Sequence, residues 1–308
     1  MVTEQELAGK ARELKDMFSE LAEAHSAQLW NYCRYLTGSP WDGEDLFQET
    51  MLKALGGLFQ RWQPTNTKSY LYRMATNIWI DHCRREKRNL GTLDEGDIPA
   101  VEFTDTLELQ QAVGCLVELF KPRQIALFLL FEVFQFKAEE VAGMVRTTPG
   151  AVYATTRRMK EKLRQHNSPD TQNHRFAHEN EPVIKAYLKA LNKGDAEAVL
   201  NLISDQAQYE APLGFAEFSK EEMRNGSLRY GLPGYRAESH ILWGKPVIIV
   251  FADEGQGPLI HDIQYQETEN GKIVRHVSYF FRKEFIFAAA EELGVPAQLT
   301  KPPVDWGE

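Results

Sequence analysis

Apolar positions keep a helical period through the first half of the chain and change to strand alternation near its end. In SELAEAHSAQLWNYCRYLTG, Leu21, Leu29, Trp30, Cys33 and Leu36 recur near helical spacing. SPWDGEDLFQETMLKALGGLF has a Ser-Pro entry and is expected to stack Leu46, Phe47, Met51, Leu52 and Leu55 on one side. In the third segment, SYLYRMATNIWIDHCRREKR, Leu71, Ala75, Ile78, Trp79 and His82 form an apolar stripe. Arg73, Asn77, Asp81, Arg84 and Arg88 form a separate polar face beside it. Residues 89–106 carry almost no periodicity, and residues 107–165 resume the helical pattern. A polar stretch at 166–180 follows. From residue 181 a helical pair, broken at Lys193-Gly194-Asp195, leads into alternating runs with a hairpin turn at Asn270-Gly271. The pattern predicts a multidomain chain: two all-α blocks, then an α+β domain with a curved antiparallel sheet.

Residues 137–164 carry the most functional content. A short helix with Val141 and Met144 inward precedes a tight turn, and a second helix opens at Thr148 with Pro149 in its first turn. Val152, Met159 and Leu163 can face a core, while Tyr153, Thr156, Arg157 and Lys160 point outward. This is the layout of a helix-turn-helix whose second helix enters a major groove. An ordinary helical hairpin with a solvated basic face is the alternative.

Charge narrows the choice. The net charge is −9, with 21 Lys+Arg against 24 Asp+Glu up to residue 174 and 14 against 20 beyond it. A protein that grips DNA alone carries a broad basic excess, because phosphate neutralisation supplies much of the affinity. Here the cations are local: Arg84, Arg85, Lys87 and Arg88 in one cluster and residues 157–164 in another. The first cluster ends a helix that follows an aromatic loop with Phe59, Trp62 and Tyr70, offering both phosphate contacts and stacking on unpaired bases. Cys33, Cys83 and Cys115 are far apart and read as free thiols of a reducing, cytoplasmic compartment. The longest apolar runs are too short to span a bilayer, and the N-terminus lacks a signal-peptide core, so no membrane partner is expected.

WDGEDLFQETMLKAL and TKSYLYRMATNIWIDHCRREKR resemble the core helices of the second conserved domain of bacterial sigma factors. KPRQIALFLLFEVFQFKAEEVAGMVRTTPGAVYATTRRMKEKLR resembles their fourth domain. With no third domain between them, the chain is similar to the extracytoplasmic-function, or group four, sigma factors of the sigma-70 family over about residues 17–165. The segment from Glu181 resembles a SnoaL-like cone. The resemblance implies sigma domain two at 1–88, an acidic linker at 89–106, sigma domain four at 107–165, a linker at 166–180 and a SnoaL-like regulatory domain with a C-terminal tail at 181–308.

It also implies roles. Asp42, Asp45, Gln48 and Glu49 lie where such proteins dock on the β′ clamp helices of core RNA polymerase, with the β flap as a second polymerase contact. Asn66, Lys68, Tyr70, Arg73 and Asn77 lie where the −10 promoter element is read and melted, with a base flipped out of the stack. Arg84, Arg85 and Arg88 would hold phosphates, and Thr148, Tyr153, Thr156, Arg157 and Lys160 would face the −35 element. Asp94, Glu95, Asp97, Glu102 and Asp105 make the linker either a nucleic-acid mimic inside polymerase or a plain solvated tether. Two departures stand out: Tyr153 and Thr155 replace basic residues common in relatives, and the cone lacks a Gly-rich signature after its first strand.

The cone raises the question of an enzyme. Tyr209, Trp243, His261, His276 and Tyr279 could line a pocket for a small ligand, with Glu210 and Asp262 nearby. Adjacent His261 and Asp262 on a strand point to opposite faces, so they form no dyad unless a bulge intervenes. No catalytic residue, cofactor or metal site is expected. The alternatives are a stand-alone helix-turn-helix regulator with a ligand-sensing domain, or a SnoaL-like isomerase or hydrolase fused to a DNA-binding module. The last segment, with Phe285, Phe287, Ala288, Leu293, Val295 and Trp306, reads either as a docking helix and tail or as the closing element of the cone's own sheet.

Overall fold

The computed structural model describes residues 23–58, 66–89, 116–117, 119–165, 182–231, 235–253, 255 and 257–300. The expected aromatic loop at Phe59 and Trp62, Cys115, the acidic stretch at 94–105, the polar stretch at 166–180 and Trp306 lie outside these residues, as does the Arg88 side chain. The chain divides into two compact units, Met1–Gln172 and Asn173–Glu308. The first is helical and the second carries the sheet. Among the described residues no helix is long and apolar enough to cross a membrane.

In the first unit, α1 (residues 23–37) ends at Gly38, whose φ of 75° is the left-handed geometry that favours glycine. Helix α2 (Pro40–Leu58) starts on a Ser39 cap, with the Asp42 amide donating to Ser39 Oγ at 3.3 Å. Helix α3 (Thr67–Asn89) is started by Asn66, whose Oδ1 accepts from the Ser69 amide at 3.0 Å. The three helices bury Leu29, Cys33, Leu36, Leu46, Phe47, Met51, Leu71, Ala75 and Ile78 in a shared core. The expected α2 stripe needs one correction: Leu52 is 63% exposed. Leu46, Phe47, Met51 and Ala54 share the inward face, and Leu52 falls outside that arc. One buried charge is fully engaged: Glu44 accepts from Trp30 Nε1 at 2.7 Å and Gln48 Nε2 at 2.8 Å.

The second helical block begins with α4 (Pro122–Phe128), which widens into a π turn at Leu129–Val133. The turn is closed by Phe134 N to Leu129 O at 2.9 Å. Helices α5 (Ala138–Val145) and α6 (Pro149–Gln165) follow, joined by residues 146–148. Arg146 sits at φ 54°, and the Arg123 guanidinium holds this corner by donating Nε to the Val145 carbonyl at 2.7 Å and Nη2 to the Arg146 carbonyl. Ile125, Leu130, Val141, Met144, Val152 and Met159 are buried beneath.

The second unit opens with α7 (Pro182–Lys193) and α8 (Ala196–Leu202), separated as expected at Gly194 (φ 68°) with Asp195 capping α8. Strands β1 (Ile203–Ala211) and β2 (Phe215–Glu217) come next, then short helices α9 (Lys220–Asn225) and α10 (Ser227–Gly231). The meander β3 (Arg236–Leu242), β4 (Lys245–Asp253), β5 (Pro258–Glu269) and β6 (Lys272–Ser278) completes a six-stranded sheet of order β2-β1-β6-β5-β4-β3. Asn270 and Gly271 both have positive φ, the primed turn that suits a two-residue hairpin. The sheet is not purely antiparallel: β1 runs parallel to β6. The antiparallel expectation holds only for neighbours joined directly; the β1 to β6 link passes through two helices and three strands, which is the length a parallel pair requires.

Helix α11 (Lys283–Leu293) packs along β5 and buries Phe285, Ile286 and Ala288. Phe285 lies 4.4 Å from the Tyr279 ring and 5.2 Å from the Trp243 ring, centroid to centroid. Beyond it, Ala297 bridges Ile260 in parallel. Phe285 and Ala288 therefore close the unit's own core, and only Phe287 of the expected docking set is strongly exposed.

Gly43 marks the closest approach of α1 and α2: a Cβ there would lie 2.6 Å from the Arg34 Cα. Gly43→Ala is expected to force these backbones apart and cost about 1–3 kcal/mol, read as a lower melting transition of the first unit with the second unchanged.

Candidate nucleic-acid interface

The helical period of α3 separates two faces. Leu71, Tyr72, Ala75, Thr76, Ile78 and Trp79 are buried, while Arg73, Arg84 and Arg85 are exposed and Asn77 is half-buried between them. Arg84 is tied loosely to Asp81 at 3.3 Å, an exposed i, i+3 pair that leaves the cation available. At the helix start Asn66 and Ser69 both donate to Glu140 Oε1, at 3.4 and 3.1 Å. Lys68 Nζ stands 4.9 Å over the Phe136 ring. The Tyr70 hydroxyl lies against Gly57, where a Cβ would come within 2.5 Å of it. The −10 set thus divides: Arg73 and Asn77 lie along the helix, while Asn66 and Lys68 are already in contact with the second block.

On α6, Tyr153, Arg157 and Lys160 fall at i, i+4 and i+7 and are exposed, with Thr148 exposed at the helix entry. Thr156 does not join them. It is buried, in line with Val152 and Met159 at i, i+4 and i+7, and its Oγ1 has no hydrogen-bond partner. The correction is one of phase: that stripe takes Thr156 inward, so it is a packing residue and not a −35 contact. The π turn steadies the outward face, because Phe131 meets the Tyr153 ring edge-on at 5.3 Å and Glu132 pairs with Lys160 at 2.6 Å. Neither contact is visible from α6 alone.

The residues expected to meet polymerase sit on α2. Asp42, Asp45 and Glu49 follow i, i+3 and i+7 on one face, whereas Gln48 turns inward to Glu44. Glu49 contacts Lys53 at 2.7 Å and His82 at 2.9 Å. Partial burial pushes its carboxyl up, but the Lys53 and His82 contacts outweigh this and hold it below the usual carboxylate range.

In the second unit the five expected pocket residues fall into three separate groups. Trp243 and Tyr279 pack on Phe285. His261 stacks on Tyr235 at 4.1 Å, and its Nδ1 meets Gln298. Tyr209 stacks on His276 at 4.4 Å with an 8° interplanar angle. The bulge that could have joined His261 to Asp262 is present, since Val250 pairs with Asp262 and Phe251 with Ile260, skipping His261. Even so the two engage different groups: Asp262 Oδ2 accepts from Gln264 Nε2 at 3.0 Å and Ser278 Oγ at 2.9 Å. They form no dyad.

What the structure brings together instead is a polar seam. Strand alternation puts Asp262, Gln264 and Gln266 on one face of β5, and the register sets Ser278 opposite Gln264 and His276 opposite Gln266. Tyr187 reaches across from α7 to Gln264 Oε1 at 3.2 Å. Burial raises the Tyr187 and Tyr209 hydroxyls far above the ordinary tyrosine range, and the Asp262 carboxyl adds to the effect. Burial also lowers the His276 imidazole to about 3. Gln266 Nε2 lies 3.0 Å from His276 Nδ1, so Nδ1 accepts and the ring proton sits on Nε2. The hairpin turn was the signal that could have found this seam, because a turn at Asn270-Gly271 fixes which residues face one another.

Residues 21–89 match the sigma-70 region 2 family. The chain is 26% identical over 233 residues to the ECF RNA polymerase sigma factor SigG of Mycobacterium tuberculosis, covering 66% of this chain and 63% of that protein. The chain thus spans less than two thirds of that relative's length. It is 26% identical over 159 residues to SigE of Mycolicibacterium smegmatis, covering 48% of this chain and 60% of that one. A solved structure of the sigma factor RpoE with the anti-sigma factor NepR from Bartonella quintana overlaps 50% of this chain and 96% of its own, at 19% identity and a TM-score of 0.38. The first helical block is a sigma-70 region 2 domain. The chain carrying it belongs with the extracytoplasmic-function sigma factors of the sigma-70 family.

His276 is neutral when folded and ordinary, near 6.5, when unfolded. The unfolded chain therefore binds one more proton as pH falls below that value, and stability is lost towards about 3. The second unit is expected to lose up to about 1.4 kcal/mol per pH unit from this group. Urea unfolding at stepped pH checks it: His276→Gln should flatten the slope between 6 and 4, and an equal slope would rule the group out.

Proposed function

We propose that the protein is a promoter-specificity subunit of RNA polymerase, acting in the cytoplasm, whose second unit modulates the first. The observation that carries this is the exposed polar face of α3, within the stretch that matches sigma-70 region 2. Asp42, Asp45 and Glu49 dock on the β′ clamp helices, and the second helical block meets the β flap. Arg73 and Asn77, with Asn66, Lys68 and Tyr70 at the helix start, read and melt the −10 element. Arg84, Arg85 and Arg88 hold phosphates.

Helices α5 and α6 act as a helix-turn-helix, with Thr148, Tyr153, Arg157 and Lys160 towards the −35 element. The domain layout follows: 1–88 and 107–165 read DNA, 89–106 links them inside polymerase, and 181–308 is the SnoaL-like modulator. Net acidity is consistent with this division of labour, since polymerase supplies the basic surface and this subunit the sequence reading. The second unit is a regulatory or ligand-sensing domain and not an enzyme, because His261 and Asp262 engage separate partners.

Transcription reconstituted from core polymerase, a promoter library and this protein is the direct test. Tight footprinting of duplex DNA at physiological salt without polymerase would overturn the proposal in favour of a stand-alone regulator. Within the reconstituted system, Asn77→Ala and Arg73→Ala should each lower open-complex formation about tenfold while core binding changes little. Ten-fold corresponds to roughly 1.4 kcal/mol, the size of one lost polar contact. Parallel loss of core binding would make the α3 face structural.

A further inference from the structure

We infer that residues 134–140 form a releasable latch that holds the second helical block over the base-reading end of α3, so that the free protein is closed and polymerase selects its open form. The inference rests on the promoter-reading assignment of α3 and adds a regulation of that same site. The latch is built from two phenylalanines and a carboxylate. Phe134 lies 5.2 Å from the Tyr32 ring, 5.6 Å from Tyr72 and 6.0 Å from Tyr35, a socket supplied by α1 and α3. Phe136 lies 4.8 Å from Tyr72 and carries Lys68 Nζ over its other side at 4.9 Å. Between the two rings Gln135 takes φ 58°, the left-handed turn that lets both neighbours face α3.

Glu140 supplies the recognition. Its Oε1 accepts from Ser69 Oγ at 3.1 Å and Asn66 Nδ2 at 3.4 Å, while its Oε2 accepts from the Lys137 amide at 3.1 Å and caps its own helix. Asn66, Lys68 and Ser69 are the donors at the start of α3, and DNA would present acceptors to the same groups. Glu140 stands where an acceptor of the nucleic acid would stand, and one set of donors cannot serve both at once. Its contacts are exposed or half-buried and the sockets are shallow at Phe134, so the closure can be reversed without unfolding either block. A partner that binds only the open form sees its affinity reduced by the open fraction.

The test uses the full-length chain with spin labels placed by non-cysteine chemistry at Lys53 on α2 and Glu161 on α6, both well exposed. Wild type should give one narrow distance population. Phe134→Ala combined with Glu140→Gln should add a longer one and tighten binding to core polymerase by roughly tenfold. Glu140→Gln alone keeps the helix cap and should give a smaller change, about threefold, which serves if the double variant does not fold. An unchanged distance distribution in both variants overturns the latch, whatever polymerase affinity does. A longer distance with unchanged affinity overturns its inhibitory role. If the distances lengthen but neither wild type nor variant binds polymerase, the promoter-specificity reading fails and the latch itself stands.

Discussion

Tyr72 is the ring through which the two helical blocks of the first unit are joined. It is fully buried, meets Tyr32 at 4.9 Å within the first block, and receives Phe134 and Phe136 from the second. Aromatic pairs at these separations each add to the area they bury, and three of them converge on one side chain. Beneath it the Tyr32 hydroxyl meets Thr76 Oγ1 at 2.7 Å, so the deepest polar groups of the cluster satisfy one another. The position of α3, and with it the direction in which Arg73 and Asn77 point, follows from how this cluster packs. Residues that face DNA in the proposed reading are therefore set by residues that never would.

Local period and turn chemistry carried much of the architecture. The α3 stripe, the break at Gly194 and Asp195 and the hairpin at Asn270 and Gly271 all depend on spacing within a few residues, and the structure has them. What was not legible depended on partners distant in sequence. Thr156 is polar and looked outward by chemistry, but its position at i+4 from Val152 and i−3 from Met159 decides its direction. Leu52 looked inward by chemistry and lies outside the buried arc of α2. The parallel β1 and β6 pair could not be read from strands considered singly, because topology sets it. The five aromatic and histidine residues expected to share a pocket were chosen by type, and strand faces then dispersed them.

The second unit places an unusual amount of polarity within its core. Asp262, Gln264, His276 and Ser278 are buried beside Ile248, Val250 and Ile273. Such a seam is costly where groups lack partners, and much of it is linked: Tyr187 to Gln264, Gln264 and Ser278 to Asp262, Gln266 to His276. Its directional bonds specify one register between β5 and β6, where an all-apolar pair could slip. Polarity here fixes geometry at least as much as it offers chemistry.

The parallel partnership of β1 with β6 has a consequence for synthesis. Strand β1 emerges from the ribosome some sixty residues before β6, and non-local pairing of this kind is slow to form. Until the last hairpin is made, β1 has only the short β2 beside it and exposes a bare edge. The helical unit, whose contacts are complete earlier in the chain, can fold while its companion is still an open sheet. A nascent chain thus passes through a stage in which the DNA-reading unit exists without its modulator.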